Sequence, residues 1–217
     1  AYEWRQVVEG WTGRRIRTKF GGLDSLTGGM GDGDFVVIGG RTSHGKTSWL
    51  CALTLNLLES GVPVDYVTLE ESTASILRRL VCNRALISIR RMKEGRVSPI
   101  EFSAAEDTVK WLQQQPLTII GIDTVKTMNE EAVVGTMAAS QAAVVILDHL
   151  QQITTPGREP RVYGLDRVMK RLQAVALRSK KVVILAAQLG RDIDHRKGPP
   201  VLADLRDSGG IEMAARH

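Results

Sequence analysis

The stretch "GGRTSHGKTSW" at residues 39–49 carries Gly40, Gly45, Lys46 and Thr47 at the spacing G-x-x-x-x-G-K-[ST]. The apolar run "DFVVI" precedes it and the leucine-rich "WLCALTLNLL" follows, so the loop joins an expected strand to an expected helix. No other feature constrains the fold as strongly. Glycines let backbone N–H groups converge on an anion where the helix dipole adds partial positive charge. Average residue usage puts a chance match in a chain this long on the order of one per cent. The loop residues Gly40, Arg41, Thr42, Ser43, His44, Gly45, Lys46, Thr47 and Ser48 are therefore expected to cradle nucleotide phosphates. In that role Lys46 reaches the β- and γ-phosphates and the Thr47 hydroxyl ligates Mg²⁺.

The rest of the chain alternates in the same way. Apolar runs of strand length occur at "DFVVIGG" (34–40), "VDYVTLE" (64–70), "LTIIGI" (117–122), "AAVVILD" (142–148) and "KVVILAAQ" (181–188). Their Val and Ile content without polar alternation suits strands covered on both faces. Between them, "SPIEFSAAEDTVKWLQQQ" opens with Ser98 as N-cap, Pro99 at the first helical position and Glu101 completing a capping box. "RVYGLDRVMKRLQAVALRSKK" sets Val162, Leu165, Val168, Leu172 and Val175 on one stripe. The expected fold is α/β, a twisted, mainly parallel sheet with helices on both faces. Ligands of such sheets bind at the carboxyl ends of the strands.

Those strand ends carry the remaining candidates. In "AAVVILDHLQQI" four aliphatic residues run into Asp148, the place for a metal-organising carboxylate. His149 beside it reads as a packing or hydrogen-bonding residue. "YVTLEES" offers Glu70 and Glu71, one of which would orient an attacking water. Glu70 is preferred because Glu71 begins the turn into a helix near Ser72. "KVVILAAQ" ends in Gln188, an amide placed to sense a γ-phosphate and pass its presence to the next loop. That loop, with Arg191, Arg196 and Lys197, reads equally well as a solvated basic segment. The run Asp207-Ser208-Gly209-Gly210 is like the nucleophile segment of trypsin-like proteases, but an α/β chain without partner motifs excludes that chemistry.

Composition sets the outer limits. The chain has 217 residues, 43% hydrophobic and 24% charged, which suits one α/β domain with a substantial core. Aromatic residues make up 5%, too few for a surface of stacking rings, and the net charge of +5 permits a polyanionic partner without proving one. Cys51 and Cys82 match neither a disulfide framework nor a zinc spacing and read as reduced core residues. No run approaches the roughly 18 apolar residues of a membrane span. No membrane partner and a cytoplasmic location, in a bacterial or phage-infected cell, are expected. Residues 1–20, with Arg14, Arg15, Arg17 and Lys19, are expected to form a basic arm or linker, with a subunit-docking or DNA-touching segment as the alternative. Residues 21–217 are expected to form the domain itself.

Together these motifs resemble the RecA-like motor domain of replicative hexameric helicases of the DnaB type, from about residue 18 to residue 213. "TKFGGLDSLTGGMGDGDFVVIGGRTSHGKTS" is similar to that family's entry segment and Walker A motif, "VTLEES" to its strand ending in the catalytic glutamate, and "VVILDHLQQI" to its Walker B. "VVILAAQLGR" followed by "LADLRDSGGIE" is similar to its sensor glutamine and DNA-facing loop, and is the most specific pair. The resemblance implies ATP and Mg²⁺ as cofactors, with Lys46, Glu70 and Gln188 in catalysis and Thr47 and Asp148 at the metal, the latter through water. It implies contacts to single-stranded DNA from Arg206, Asp207 and Gly209, with Arg158 and Arg161 of "TTPGREPR" as a second group. It also implies a ring of copies, six by analogy, and a primase and a helicase loader as further partners. Clock and recombination ATPases share the P-loop and a similar glutamate-bearing strand end. A nucleotide-responsive regulatory module without unwinding activity, of the clock or loader type, is the alternative.

Four departures stand out. The family pattern has proline where Thr42 stands and commonly tyrosine where His149 stands, and the Asp–His pair is similar to phage primase-helicases. The family's N-terminal primase-interacting domain is not in this sequence. The family also continues into strands bearing an arginine finger and a companion lysine, beyond the "IEMAARH" at residue 217. Poor ATP turnover by this stretch alone is the corresponding expectation.

Overall fold

A computed structural model of the chain describes residues 15–124, 129–155, 160–190, 198, 201 and 204. Among these, α1 (Gly21–Thr27) leads into β1 (Phe35–Gly40), α2 (Lys46–Leu58), β2 (Val64–Thr68) and α3 (Thr73–Arg84). Then follow α4 (Ile89–Lys93), α5 (Pro99–Gln113), β3 (Leu117–Ile120), α6 (Glu130–Ala139) and β4 (Val144–Asp148). A 3₁₀ turn (Leu150–Gln152), α7 (Arg161–Ser179) and β5 (Val182–Gln188) complete the order. The capping box is present as expected, with Ser98 accepting from the Glu101 N–H and the Glu101 carboxylate accepting from the Ser98 N–H.

The strands form one sheet in the order β1-β5-β4-β2-β3, every pair parallel. This is the α/β architecture expected from the alternating runs. Side chains of successive strand residues point to opposite faces, and both faces are covered. Val145, Leu147, Val183 and Leu185 pack against α6 and α7 through Val133, Met137, Leu165, Val168 and Leu172. Val144, Ile146, Ile184 and Tyr66 pack against α2, α3 and α5 through Leu50, Leu53, Ile76, Leu80 and Leu112. Every residue of β4 is buried, which is why its sequence shows no polar alternation. Cys51 and Cys82 are buried free thiols, as expected.

Two strands, β2 and β3, end earlier than the apolar runs suggest. β2 stops at Thr68, so Glu70 lies in the bend beyond the strand. Leu69 prolongs the apolar run because it packs into the core after leaving the ladder. On α7, Leu165, Val168 and Leu172 are buried, while Val162 in the first turn is exposed. Residues 15–20 lie against the body. Ile16 bridges Met30, and Asp24 accepts from the Thr18 N–H, the Thr18 hydroxyl and the Lys19 N–H. Phe20 stacks on Trp49 with centroids 5.0 Å apart.

One buried acid ties α6 to α7. Glu130 is 3% exposed and bonds Arg167 (Oε2 to Nη2, 3.0 Å) and Arg171 (Oε1 to Nη1, 2.8 Å). Burial alone would raise its pKa, but the two guanidiniums outweigh burial and hold it below 4.5. A depressed carboxylate pKa stabilises the fold above the unfolded value, and this stability is lost as pH falls through the folded value. Glu130→Ala is expected to cost about 2 kcal/mol at pH 7, the scale of charge-assisted hydrogen bonds. Urea melts at stepped pH should show the variant's deficit shrinking below pH 4.5.

Candidate functional site

The parallel register lines up the candidate residues along one edge. Gly40 pairs with Gln188 and Thr68 with Asp148, so the phosphate loop, the amide and the acid leave the sheet side by side. A cleft of about 520 Å³ opens there, lined among others by Thr42, Lys46, Thr47, Glu70, Asp148 and Gln188. A larger depression of about 610 Å³ lies between α6 and α7, and none of its lining residues is a carboxylate.

The loop geometry follows from its glycines. Gly45 sits at φ 87° immediately before α2, a conformation that L side chains rarely adopt. At Gly40 a Cβ would stand 2.9 Å from the Lys46 Cγ, so only glycine lets the lysine stem fold across it. The Lys46 ammonium donates to the carbonyls of Gly40 (2.9 Å) and Arg41 (3.1 Å). Burial lowers its pKa, and the Asp148 and Glu70 carboxylates act against that shift.

The two glutamates have different surroundings. Glu71 precedes α3 and is engaged by it, accepting from the Ser75 hydroxyl and from Arg79, with Nη2 at 2.8 Å. Glu70 has a 59% exposed side chain, and its Oε2 lies 3.2 Å from the His149 Nδ1. A carboxylate only accepts, so Nδ1 carries the proton. Burial lowers the His149 pKa further than Glu70 and Asp148 raise it, so the ring is neutral at pH 7. Through this bond His149 joins the end of β4 to the bend after β2.

Asp148 is 3% exposed and accepts from the Tyr66 hydroxyl at 3.0 Å. The acid, Thr47 and the cleft suit Mg²⁺, which keeps several waters and takes one or two carboxylates plus substrate phosphates. Among the described residues no group of three His, Cys, Asp or Glu side chains could hold a metal. An ion here would therefore depend on the phosphates and Thr47 for most of its protein-derived and ligand-derived oxygens.

Gln188 reaches both ways. Its side-chain N–H donates to the Thr42 hydroxyl, and its backbone N–H donates to Gln151 Oε1 at 3.0 Å. Arg161, the first residue of α7, donates to the Gln151 carbonyl. Arg158, Arg206, Asp207, Gly209, Arg191, Arg196 and Lys197 lie outside the described residues. Sequence reasoning missed Tyr66, Arg79 and Gln151. For Tyr66 a signal existed, because a hydroxyl-bearing ring in a strand covered on both faces requires a buried partner.

The fold and the cleft define a P-loop nucleotide-binding protein of the α/β class, built on a parallel sheet. More narrowly, the chain matches the DnaB-like helicase C-terminal domain over residues 15–216 and belongs to that family. It is 29% identical over 201 residues to the replicative DNA helicase DnaB of Synechocystis sp., covering 90% of this chain and 23% of that protein. It is 30% identical over 206 residues to a probable replicative DNA helicase of Trieres chinensis, covering 92% of this chain and 45% of that one. The chain thus spans less than half the length of these relatives. A DnaB-like replicative helicase, solved in a study of its interactions with primase, superposes with a TM-score of 0.85 at 21% identity, over 98% of this chain and 53% of that one. The ATPase domain of G40P gives the same TM-score at 22% identity, over 98% and 78% of the two chains. Both share the fold, which is the RecA-like core the sequence suggested.

The different surroundings of the glutamates are measurable. Glu71→Gln is expected to cost about 1–2 kcal/mol, because it weakens charge-assisted bonds in a half-buried setting. Glu70→Gln should stay within about 0.5 kcal/mol of the parent, as surface changes do. Parallel denaturant melts of the two variants check both values.

Proposed function

We propose that this chain is the ATP-hydrolysing motor of a replicative DNA helicase. Mg²⁺–ATP binds in the cleft, and its hydrolysis moves single-stranded DNA through a ring of copies, six by analogy. The observation that carries this reading is the convergence of Lys46, Thr47, Glu70, Asp148 and Gln188 on one cleft at the carboxyl edge of the sheet. Lys46 and the loop N–H groups bind the phosphates, and Thr47 with Asp148 holds Mg²⁺, which neutralises developing charge when bound. Glu70 orients and deprotonates the attacking water, with His149 steadying its carboxylate. Gln188 senses the γ-phosphate through its position beside Thr42.

DNA is gripped by its phosphates, which need no base identity, through Arg206, Asp207 and Gly209, with Arg158 and Arg161 as a second group. The route from nucleotide to that second group is the bonded series Thr42, Gln188, Gln151 and Arg161. Primase and a loader are the further partners this reading implies, and the bacterial cytoplasm is the compartment. Membership of the helicase family favours this motor over a clock-type or loader-type module.

The deciding experiment is ATP turnover of the full-length protein with and without a long oligo-dT strand. Stimulation by the strand is expected, and a strand-independent rate would point to a regulatory ATPase instead. Glu70→Gln should retain ATP binding and lose turnover by at least 100-fold, on the order of what general acid–base groups contribute. Normal turnover in that variant removes Glu70 from the water-activating role. Affinity for single strands should fall linearly on a log–log plot against salt, and a flat response would remove the phosphate grip.

A further inference from the structure

Tyr66 is fully buried in the layer between β2 and α2, level with Ile146 in the ladder. Its hydroxyl donates to Asp148 Oδ2 at 3.0 Å. The Cys51 thiol is buried in the same layer and near the phenol. Cys51 lies on α2, the helix that starts at Lys46 of the phosphate loop. The phenol therefore stands between the helix that begins at the phosphate loop and the strand that ends in the acid. A phenol is protonated at neutral pH and a carboxylate only accepts, so the hydroxyl is the donor. Burial pushes the Cys51 thiol up to about 12.

A carboxylate at the end of a strand has freedom about χ1 and χ2, and ordering it costs entropy when a metal site forms. A hydroxyl fixed from beneath removes that freedom in advance. It engages Oδ2 from the core side of an acid that lines the cleft. Phenylalanine would fill the same layer with no polar atom to satisfy, so packing alone does not account for the hydroxyl.

We propose that Tyr66 is a positioning residue for the metal: its hydroxyl holds the Asp148 carboxylate in the orientation that receives Mg²⁺ or its bound water. Affinity for the metal–nucleotide pair then depends on Tyr66, and affinity for nucleotide alone does not. The proposal rests on the reading of Asp148 as the metal-organising acid.

The test uses full-length protein and binding of a fluorescent ADP analogue, titrated with Mg²⁺ and repeated in EDTA. Tyr66→Phe is expected to raise the Mg²⁺ concentration for half-saturation about ten-fold, the lower end for outer-shell partners of metal ligands. Affinity in EDTA should not change, and thermal melting verifies that the variant is folded. Asp148→Asn should raise the Mg²⁺ requirement by itself, and Tyr66→Phe on that background should add nothing further. Cys51→Ala, which leaves the Tyr66–Asp148 bond in place, provides a second variant at the same layer and should bind Mg²⁺ as the parent does. An unchanged Mg²⁺ requirement in Tyr66→Phe, while Asp148→Asn shifts it, overturns the role of Tyr66 alone. Full additivity in the double variant, or an equal loss in EDTA, overturns it as well. No shift in Asp148→Asn overturns the reading of Asp148, and the Tyr66 proposal with it.

Discussion

An ionised carboxylate in a dry interior costs several kcal/mol unless charge and hydrogen bonds compensate it. Asp148 sits under that constraint, 3% exposed at the end of a strand buried throughout. Its compensation comes from both sides. The Tyr66 hydroxyl bonds one oxygen from within the core, and the Lys46 charge acts across the cleft. Its main chain is also engaged, with the Asp148 carbonyl accepting from the Leu69 N–H at 2.8 Å. That last bond continues the β2–β4 pairing past Thr68 and thereby places the bend that carries Glu70. Position the acid, and the glutamate, the imidazole and the lysine follow from its surroundings.

The opposite requirement holds elsewhere in the molecule. Helices α6 and α7 must cover their face of the sheet without access to the cleft chemistry. Glu130 meets that need by drawing two arginines of α7 onto the start of α6. Here charge is used to fix the relation between two helices. The two acids have the same exposure, 3%, and differ in what surrounds them: two guanidiniums in one case, a neutral phenol and a lysine in the other.

Features carried by adjacent residues were legible in the sequence. The phosphate loop, the Ser98 capping box, the doubly covered strands and Asp148 at the end of its run all depend on spacing within a single element. Contacts between elements were not legible. Tyr66 and Asp148 are 82 positions apart, and Gln188 and Thr42 are 146 apart. No local periodicity encodes such pairs, because the strand order β1-β5-β4-β2-β3 creates them. The choice between Glu70 and Glu71 was partly legible, since Ser72 signals a helix start. Arg79, which occupies Glu71, belongs to the second turn of that helix and becomes a partner only once the helix forms.

Strand order also explains why an amide suits position 188. β5 lies between β1 and β4, so the residue leaving its carboxyl end faces the phosphate loop on one side and the segment after Asp148 on the other. A group in that position needs to donate and accept in two directions while remaining uncharged beside Lys46. A carboxylate there would pair with Lys46 and draw the ammonium from the place where phosphates are expected, and an aliphatic residue would leave Thr42 and Gln151 unconnected. Glutamine satisfies both conditions. Its side chain bonds Thr42 and its backbone bonds Gln151, whose carbonyl accepts from Arg161, so one residue joins the phosphate loop to the turn after β4. Thr42 takes part because it brings a hydroxyl to a loop position where a proline would offer no acceptor in its side chain. The hydroxyl gives this chain a direct side-chain bond between its phosphate loop and the end of β5.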